Sequence, residues 1–329
     1  MTEPHTLNSD DIRIFSGSSN PALAADIADC IGVPLSETTI NRFTNDNLYV
    51  QLGQSVRSRN VFLIQSLTPP VNDHLMELLM MLDIARSASA KEVHAVIPYY
   101  SFARSDKKNE PRISITARLV ADLLTTAGAT HVLTMVLHSP QVHGFFSVPT
   151  DPLTSRPVFR EFFERQDLSN TIVVAPDIGS AKSATRFAKD LGGLPVAAGN
   201  KERISDTQVR ISGIIGAQLR GYTRALIYDD EIANGGSMLE VSRILIENGI
   251  TEIQLVCTHG LFTNNALERL GAMPEITGIV TTDTIYHPPS KRHPKLHIVS
   301  VAHVFAEAIR KNYLGESIGD LFVYGQGED

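Results

Sequence analysis

The chain has little cysteine, with only Cys30 and Cys257 among its 329 residues. The first falls in a predicted helix and the second in a predicted strand, so the two lack the paired spacing of a disulfide framework or a cysteine metal site. We therefore expect neither feature. Low cysteine content is typical of proteins that work in a reducing compartment, and it favours the cytoplasm.

The chain also lacks an excess of positive charge, since its formal net charge is -7. General nucleic-acid binding requires a basic face, so this balance argues against a nucleic-acid partner and favours small anionic ligands. No apolar run approaches the roughly 20 residues that a membrane-spanning helix needs. The polar, acidic residues 1–11 show no signal-peptide pattern, and we expect neither a membrane segment nor a secretory signal.

What the chain does contain is enough apolar material for a substantial core, because 43% of its residues are hydrophobic. Apolar runs alternate with amphipathic segments, which predicts parallel strands joined by right-handed helical crossovers. The alternation breaks at residues 151–156 and then starts again. The sequence therefore predicts an α/β protein with two domains, at residues 10–153 and 154–317.

The stretch from Ala225 to Ser237 predicts a strand, a loop and the start of a helix. Its apolar run ends in Asp229 and Asp230, at the end of the strand where sugar hydroxyls or a metal-bound ligand can reach two carboxylates. The loop then supplies backbone N–H groups at a helix N-terminus, and its glycine pair allows an anion to approach closely. The residues with these donors are Asn234, Gly235, Gly236 and Ser237.

Two interpretations remain open for this stretch by itself. A strand that ends in acids before a glycine-containing turn also occurs as an ordinary α/β connection without a ligand. The stretch lacks both the Gly-Lys-Ser/Thr ending of a Walker loop and the Gly-x-Gly-x-x-Gly pattern of a dinucleotide turn. It does resemble the ribose 5-phosphate loop of the type I phosphoribosyltransferase fold.

Four further motifs occur in order along the chain. They are residues 15–20, residues 70–73, residues 98–100 with 103–107, and residues 137–141 with 144–146. Together with residues 229–237 they resemble the ribose-phosphate diphosphokinase family, the phosphoribosyl diphosphate synthetases, over nearly the whole chain. The resemblance implies an α/β fold of tandem type I phosphoribosyltransferase-like domains, each a mostly parallel sheet flanked by helices. The first domain would be the ATP side and the second the ribose 5-phosphate side.

The resemblance implies an enzyme for nucleotide biosynthesis that transfers the diphosphate of Mg-ATP to the anomeric hydroxyl of ribose 5-phosphate. The products would be phosphoribosyl diphosphate and AMP, and the assembly a dimer-based hexamer in the cytoplasm. Attack of a hydroxyl on the β-phosphorus builds little new covalent structure, so such catalysis depends on positioning and on cations that offset phosphate charge.

The same resemblance assigns roles to individual residues, each of which would otherwise be an ordinary loop or surface residue. The catalytic arm would contribute Lys201 and Arg203, and the Mg²⁺ ligands would be His138 and Asp177. ATP would be bound by Phe43, Asn45, Asn47, Arg104, Ser105 and Asp106. Ribose 5-phosphate would be bound by Asp229, Asp230, Asn234, Gly235, Gly236 and Ser237, and the diphosphate loop would contain Asp177, Gly179 and Ser180.

Several residues depart from the family pattern. Val136 stands where an acid is usual beside the metal, and Ala233 and Asn234 replace an acid and a threonine in the ribose-phosphate loop. Glu202 adds a negative charge to the catalytic arm. These changes motivate a second hypothesis, a catalytically weak or silent paralogue that binds nucleotide and regulates an active subunit. A third, a nucleobase phosphoribosyltransferase, leaves residues 104–107 and 137–139 without a role.

Overall fold

The structure, a computed structural model, describes residues 7–203 and 209–322, with the backbone alone for 201–203 and 209–212. The chain divides into two compact units. The first contains the residues up to Thr154, then Thr284–Tyr286 and the residues from Ser300 onward, and the second contains Ser155–Asp283 and His287–Val299. The domain boundary that the sequence predicts, between residues 153 and 154, remains a prediction.

The described residues form fifteen strands and eight α-helices. The strands are β1 (Ile12–Ser16), β2 (Leu35–Ser36), β3 (Thr38–Arg42), β4 (Leu48–Leu52), β5 (Asn60–Ile64), β6 (Glu92–Ile97), β7 (His131–Met135), β8 (Thr150–Leu153), β9 (Thr171–Ala175), β10 (Val196–Arg203), β11 (Val209–Gly216), β12 (Arg224–Ile232), β13 (Glu252–Gly260), β14 (Ile276–Thr282) and β15 (Leu296–Val299). The helices are α1 (Pro21–Ile31), α2 (Val71–Ser87), α3 (Thr116–Ala127), α4 (Arg156–Phe163), α5 (Ala181–Asp190), α6 (Gly236–Glu247), α7 (Ala266–Gly271) and α8 (Ala302–Leu314).

The first unit is built on a six-stranded sheet in the order β2-β1-β5-β6-β7-β8. Its neighbouring strands all run parallel. All five residues of β5 are buried, as expected for a parallel strand covered on both faces. The C-terminal helix α8 packs against α1, and Asn312 donates a hydrogen bond of 3.1 Å to Asp151 Oδ2 in β8. These contacts explain why this helix belongs to the first unit.

A separate antiparallel hairpin, formed by β3 and β4, accompanies the first sheet. Its turn is closed by a 2.9 Å hydrogen bond from the Phe43 backbone N–H to the Asn47 carbonyl. Asp46 adopts φ +70° in this turn, a left-handed conformation that aspartate tolerates better than most residues. The hairpin therefore presents residues 43–47 at its tip.

The second unit has a seven-stranded sheet in the order β11-β10-β9-β12-β13-β14-β15. All neighbours are parallel except β11, which pairs antiparallel with β10. Residues 199–206 are polar and charged with little periodicity, a pattern typical of either an exposed loop or a hairpin arm. Their backbone up to Arg203 belongs to β10, which indicates an arm, and residues 204–208 lie outside the described part of the chain.

Strand β12 is longer than its sequence suggests. The sequence predicts that the strand ends at the two acids, but β12 continues to Ile232, so Asp229 and Asp230 lie inside it. The reason is that β13 runs alongside, pairing Asp229 with Cys257 and Ile232 with Gly260. Within residues 7–203 and 209–322, no helix is both long and apolar enough to cross a bilayer.

Candidate functional site

The loops that follow β9 and β12 meet in the second unit. The two strands are parallel neighbours, so their carboxyl ends lie at the same edge of the sheet. Asp177, just after β9, accepts a 3.2 Å hydrogen bond from the Ser180 backbone N–H. The hydroxyl of Ser180 donates a 2.7 Å hydrogen bond to Asp229 Oδ1 in β12. The structure thus brings together the segments that the sequence assigns to diphosphate and to ribose 5-phosphate.

The surroundings of Asp229 disfavour a negative charge on its carboxyl group. Burial raises its pKa well above the ordinary value, and the neighbouring charge of Asp230 raises it further. Oδ1 of Asp229 accepts hydrogen bonds from the Asp230 backbone N–H at 2.9 Å and from Ser180. Additional hydrogen-bond donors, such as sugar hydroxyls, would stabilise the ionised form of this acid.

The turn between β12 and α6 depends on a glycine. Gly235 is the N-cap of α6 with φ +71°, and a Cβ there would lie 3.1 Å from a methyl carbon of Leu270. The cap makes no side-chain hydrogen bond to the helix. The N-terminus of this twelve-residue helix has the polarity that suits an anion, as the sequence predicts.

Two other side chains contact this turn. The Asn234 Oδ1 atom accepts a 3.0 Å hydrogen bond from the Gly236 backbone N–H, so one of the predicted anion donors is bound within the chain. Arg269, from α7, donates to the Asn234 carbonyl through Nη2. Sequence patterns do not indicate this role of Arg269, because it lies 35 residues from Asn234 and no local pattern connects the two.

In the first unit, Asp106 joins the loop after β6 to the loop after β7. This buried carboxylate accepts a hydrogen bond from Gln141 Nε2. Burial acts to raise the pKa of Asp106, but hydrogen bonds from Ser139 and Gln141 and the charge of Lys107 outweigh it and lower the pKa. Asp106 is therefore an ionised group that holds two predicted ligand loops together.

The other predicted ATP residues and the predicted metal ligand His138 lie in these two loops or at the tip of the β3–β4 hairpin. Arg104 and His138 are exposed, the latter three residues after the end of β7. The Ser105 hydroxyl accepts a 3.2 Å hydrogen bond from the Thr116 backbone N–H at the start of α3, so this side chain stabilises the helix terminus. At the hairpin tip, the Phe43 ring is 55% exposed and Asn45 Oδ1 accepts from the Asn47 N–H at 3.3 Å.

A buried network fixes the loop of residues 17–20, a role that sequence patterns did not reveal. Glu77 on α2 accepts hydrogen bonds from the Ser18 backbone N–H at 3.1 Å and from Gln65 Nε2 at 2.6 Å. The Gln65 carboxamide also accepts from the Ser19 N–H at 3.0 Å. A Cβ at Gly17 would lie 2.3 Å from this carboxamide oxygen, so only glycine fits there.

Comparison with known proteins decides the family. Residues 12–128 match the N-terminal domain of ribose phosphate pyrophosphokinase, and residues 211–323 match the phosphoribosyl synthetase-associated domain. A putative ribose-phosphate pyrophosphokinase of Streptomyces coelicolor is 51% identical to this chain over 312 residues, with 95% of this chain and 98% of the relative covered. This chain belongs to the ribose-phosphate pyrophosphokinase family.

Two further relatives agree with this family assignment. The ribose-phosphate pyrophosphokinase of Deinococcus radiodurans is 46% identical, with 94% of this chain and 98% of the relative covered. The crystal structure of phosphoribosylpyrophosphate synthetase from Mycobacterium smegmatis has a TM-score of 0.85 at 32% identity, with 93% of this chain and 99% of that chain covered. Pyrophosphokinase and diphosphokinase name the same activity, so the predicted family and its α/β fold are confirmed.

Val136, one of the expected departures from the family pattern, has an unusual backbone. It follows β7 with φ +40°, a left-handed conformation in which a β-branched residue is strained. Its N–H donates a 3.0 Å hydrogen bond to the Leu153 carbonyl, which holds this conformation. The strain lies two residues before His138, the predicted metal ligand in the first unit.

The predicted metal ligands are His138 and Asp177, and the predicted catalytic-arm residues are Lys201 and Arg203. Among the residues that the structure describes, no group of three or more His, Cys, Asp or Glu side chains could hold a metal ion. The predicted ligands His138 and Asp177 belong to different units. The side chains of Lys201 and Arg203 lie outside the described part of the chain, and the backbone of both residues is in β10.

Proposed function

We propose that this protein is a Mg²⁺-dependent ribose-phosphate pyrophosphokinase. It transfers the diphosphate of ATP to the anomeric hydroxyl of ribose 5-phosphate and forms phosphoribosyl diphosphate and AMP. The sugar oxygen forms a bond to the β-phosphorus, the bond between that phosphorus and the α–β bridging oxygen breaks, and the hydroxyl proton goes to solvent. The observation that carries the proposal is the identity of 51% across 95% of the chain with a relative of that name.

The second unit supplies the sugar-phosphate half of this proposal. The N-terminus of α6 binds the 5-phosphate through backbone N–H groups of residues 234–237. Asp229 and Asp230 accept hydrogen bonds from the ribose hydroxyls, which offsets the cost of two neighbouring acids. The turn of Asp177, Gly179 and Ser180 binds the diphosphate. The hydrogen bond between Ser180 and Asp229 supports this arrangement, because it joins the two binding loops.

In this proposal the first unit binds ATP. Arg104 faces the ATP phosphates as a fixed positive charge, and Asp106 keeps its loop in register with residues 138–141. The exposed Phe43 ring stacks on adenine, while Asn45 and Asn47 contact the purine edge. By family likeness this hairpin serves a neighbouring subunit of a dimer-based hexamer, and the enzyme works in the cytoplasm. Lys201 and Arg203 are the proposed catalytic residues, whose positive charges would offset the charge of the transferring phosphates.

The residues present fit Mg²⁺ when it is bound together with ATP. This ion is usually held by one or two carboxylates and several phosphate oxygens or waters, so a cluster of three protein ligands is not required. Asp177 offers a carboxylate for this purpose in the second unit, and His138 is a separate candidate ligand in the first unit. Bound Mg²⁺ would supply positive charge against the phosphate oxygens.

AMP formation by the purified protein tests this function. We expect AMP and phosphoribosyl diphosphate in equal amounts from ATP, Mg²⁺ and ribose 5-phosphate, followed by chromatography and ³¹P NMR. Omitting ribose 5-phosphate controls for simple ATP hydrolysis, and adding EDTA controls for the metal. ADP in place of AMP would contradict diphosphate transfer.

A second candidate, a weak or silent paralogue that binds nucleotide and regulates an active subunit, is favoured by two observations. The backbone of Val136 is strained two residues before the predicted metal ligand His138. In the predicted ribose-phosphate turn, the Gly236 N–H already donates a hydrogen bond to the Asn234 side chain. The same assay separates the candidates. ATP binding by calorimetry without AMP formation would favour the paralogue, whereas steady turnover by the protein alone would exclude it.

A further inference from the structure

The side chain of Ser180 lies between two acids of the second unit. Its hydroxyl oxygen is 2.7 Å from Asp229 Oδ1 and 3.4 Å from Asp177 Oδ1. The two acids are on different elements, since Asp177 follows β9 and Asp229 lies inside β12. Ser180 is therefore a contact between the loop assigned to diphosphate and the strand assigned to ribose.

The distances indicate which acid receives the hydroxyl proton. A serine hydroxyl has one proton, so it can donate fully to one of these two carboxylates. The 2.7 Å separation is ordinary for a hydroxyl bound to an oxygen, whereas 3.4 Å is too long for a strong bond. Asp177 instead accepts from the Ser180 backbone N–H at 3.2 Å. One residue thus binds one acid through its backbone and the other through its side chain.

The contact with Ser180 fixes the orientation of the Asp229 carboxyl group. Oδ1 of Asp229 accepts from the Ser180 hydroxyl and, at 2.9 Å, from the Asp230 backbone N–H. Two donors on one oxygen hold the plane of the carboxyl group, and so determine where Oδ2 points. Because a hydrogen bond to the charged form also favours ionisation, the serine opposes the effect of burial on this acid.

We propose that Ser180 is a positioning residue for ribose 5-phosphate, which it serves by orienting Asp229 toward the sugar hydroxyls. This inference rests on the proposed function, because it takes Asp229 to be a ribose ligand. The hydroxyl of Ser180 acts on the sugar by way of Asp229, in addition to the place of Ser180 in the turn proposed to bind diphosphate. It sets the geometry of the acid that does bind the sugar, and it couples that acid to the turn of residues 177–180.

Substitution of the serine hydroxyl tests the positioning role. We expect Ser180→Ala to raise KM and calorimetric Kd for ribose 5-phosphate about tenfold, the scale of a hydrogen bond to a charged group. KM for ribose 5-phosphate should change more than kcat and KM for ATP, which also depend on the proposed contact of this turn with diphosphate. Ser180→Thr retains a hydroxyl and should restore most of the affinity.

A double mutant identifies Asp229 as the partner. If the serine acts through this acid, Ser180→Ala combined with Asp229→Ala should bind ribose 5-phosphate as weakly as Asp229→Ala alone, because alanine at 229 leaves no acceptor for the hydroxyl. Thr185→Ala is the matched control, because this hydroxyl also lies on the α5 side of the loop but donates at 2.8 Å to its own helix, at the Ala181 carbonyl. We expect this variant to behave as the wild type.

The outcomes distinguish the inference from the function on which it rests. An active wild type with unchanged ribose 5-phosphate affinity in Ser180→Ala would overturn the positioning role alone. Fully additive effects in the double mutant, or equal loss in the alanine and threonine variants, would also overturn it. A wild type that binds ribose 5-phosphate but forms no AMP would refute the proposed reaction, and the calorimetric comparison would still decide whether Ser180 positions Asp229.

Discussion

Asn234 Oδ1 accepts a hydrogen bond from the Gly236 backbone N–H, with 3.0 Å between the two atoms. The first backbone N–H groups of a helix have no partner within the helix, and they are the donors that a phosphate uses. The side chain of Asn234 therefore competes for a donor that the proposed 5-phosphate needs. Binding of the phosphate would require this side chain to turn away or would leave the Gly236 donor unused.

Asn234→Ala should improve binding of the sugar phosphate. Removal of the carboxamide releases the Gly236 N–H, and a net hydrogen bond of about 1 kcal/mol corresponds to about a fivefold fall in KM for ribose 5-phosphate. Steady-state kinetics of AMP formation measure this change. Asn248→Ala, at the other end of α6, removes a bond to the Ile244 carbonyl and serves as the control. A rise in KM on substitution of Asn234 would mean that its amide binds the ligand directly.

Asp229→Asn should stabilise the protein while it weakens sugar binding. The pKa of Asp229 is raised in the folded state, so between its ordinary and its folded pKa the folded protein binds more protons than the unfolded chain. The contribution of this group to the free energy of unfolding therefore falls as pH rises through that window. Asparagine cannot ionise, and it keeps an oxygen for Ser180 and for the Asp230 N–H.

Thermal unfolding across a pH series measures this effect. We expect Asp229→Asn to have a higher Tm than the wild type at pH values above the folded pKa, and the gain to shrink toward pH 4. Its KM for ribose 5-phosphate should rise about tenfold or more, because a charged acceptor is lost. An equal Tm for both proteins at every pH would show that the acid is not destabilised by its surroundings.

Sequence patterns predict those features that are formed by residues close to one another along the chain. The turn of residues 234–237 and the β–loop–α alternation follow local patterns of apolar residues and glycines. Contacts between distant segments had no such pattern. Ser180 and Asp229 are 49 residues apart and Gln141 and Asp106 are 35 apart. Their contacts depend on which strands are neighbours in the sheets, and periodicity does not determine that order.

Short edge strands were missed for a related reason. Strand β2 has two residues and β8 and β15 have four each, too few to show an alternating pattern. Pairing with a neighbouring strand defines them. The extension of β12 past its acids has the same origin, since β13 provides backbone partners that propensity alone would not predict.

Asp106→Ala should weaken the contact between the loop after β6 and the loop after β7. The substitution removes the acceptor of the Gln141 amide, and the loss of this hydrogen bond costs about 1 kcal/mol. We expect a lower Tm and a KM for ATP that rises several-fold, with KM for ribose 5-phosphate nearly unchanged. Glu110→Ala is the control, because this acid lies in the same loop and is exposed. Equal behaviour of the two variants would contradict the role of Asp106.

Substitutions at Val136 test two separate effects of this residue. One is the strain of its backbone, and the other is the absence of an acidic side chain near the proposed metal ligand. A β-branched residue at φ +40° costs about 1–2 kcal/mol relative to a residue that tolerates the left-handed region. Val136→Asn should therefore raise the free energy of unfolding by about 1 kcal/mol. Val136→Ala has no branched side chain but is still disfavoured at positive φ, so it should gain much less. Denaturant unfolding of the three proteins measures the differences.

The acidic variant at this position addresses function. Val136→Asp tolerates the same conformation and places a carboxylate two residues before His138, the proposed metal ligand. If that charge is what the wild type lacks, Val136→Asp should reach half-maximal turnover at several-fold lower Mg²⁺ than Val136→Asn, although both relieve the strain. Identical Mg²⁺ dependence in the aspartate and asparagine variants would show that the missing acid does not limit metal binding, and that the substitution at 136 matters through the backbone alone.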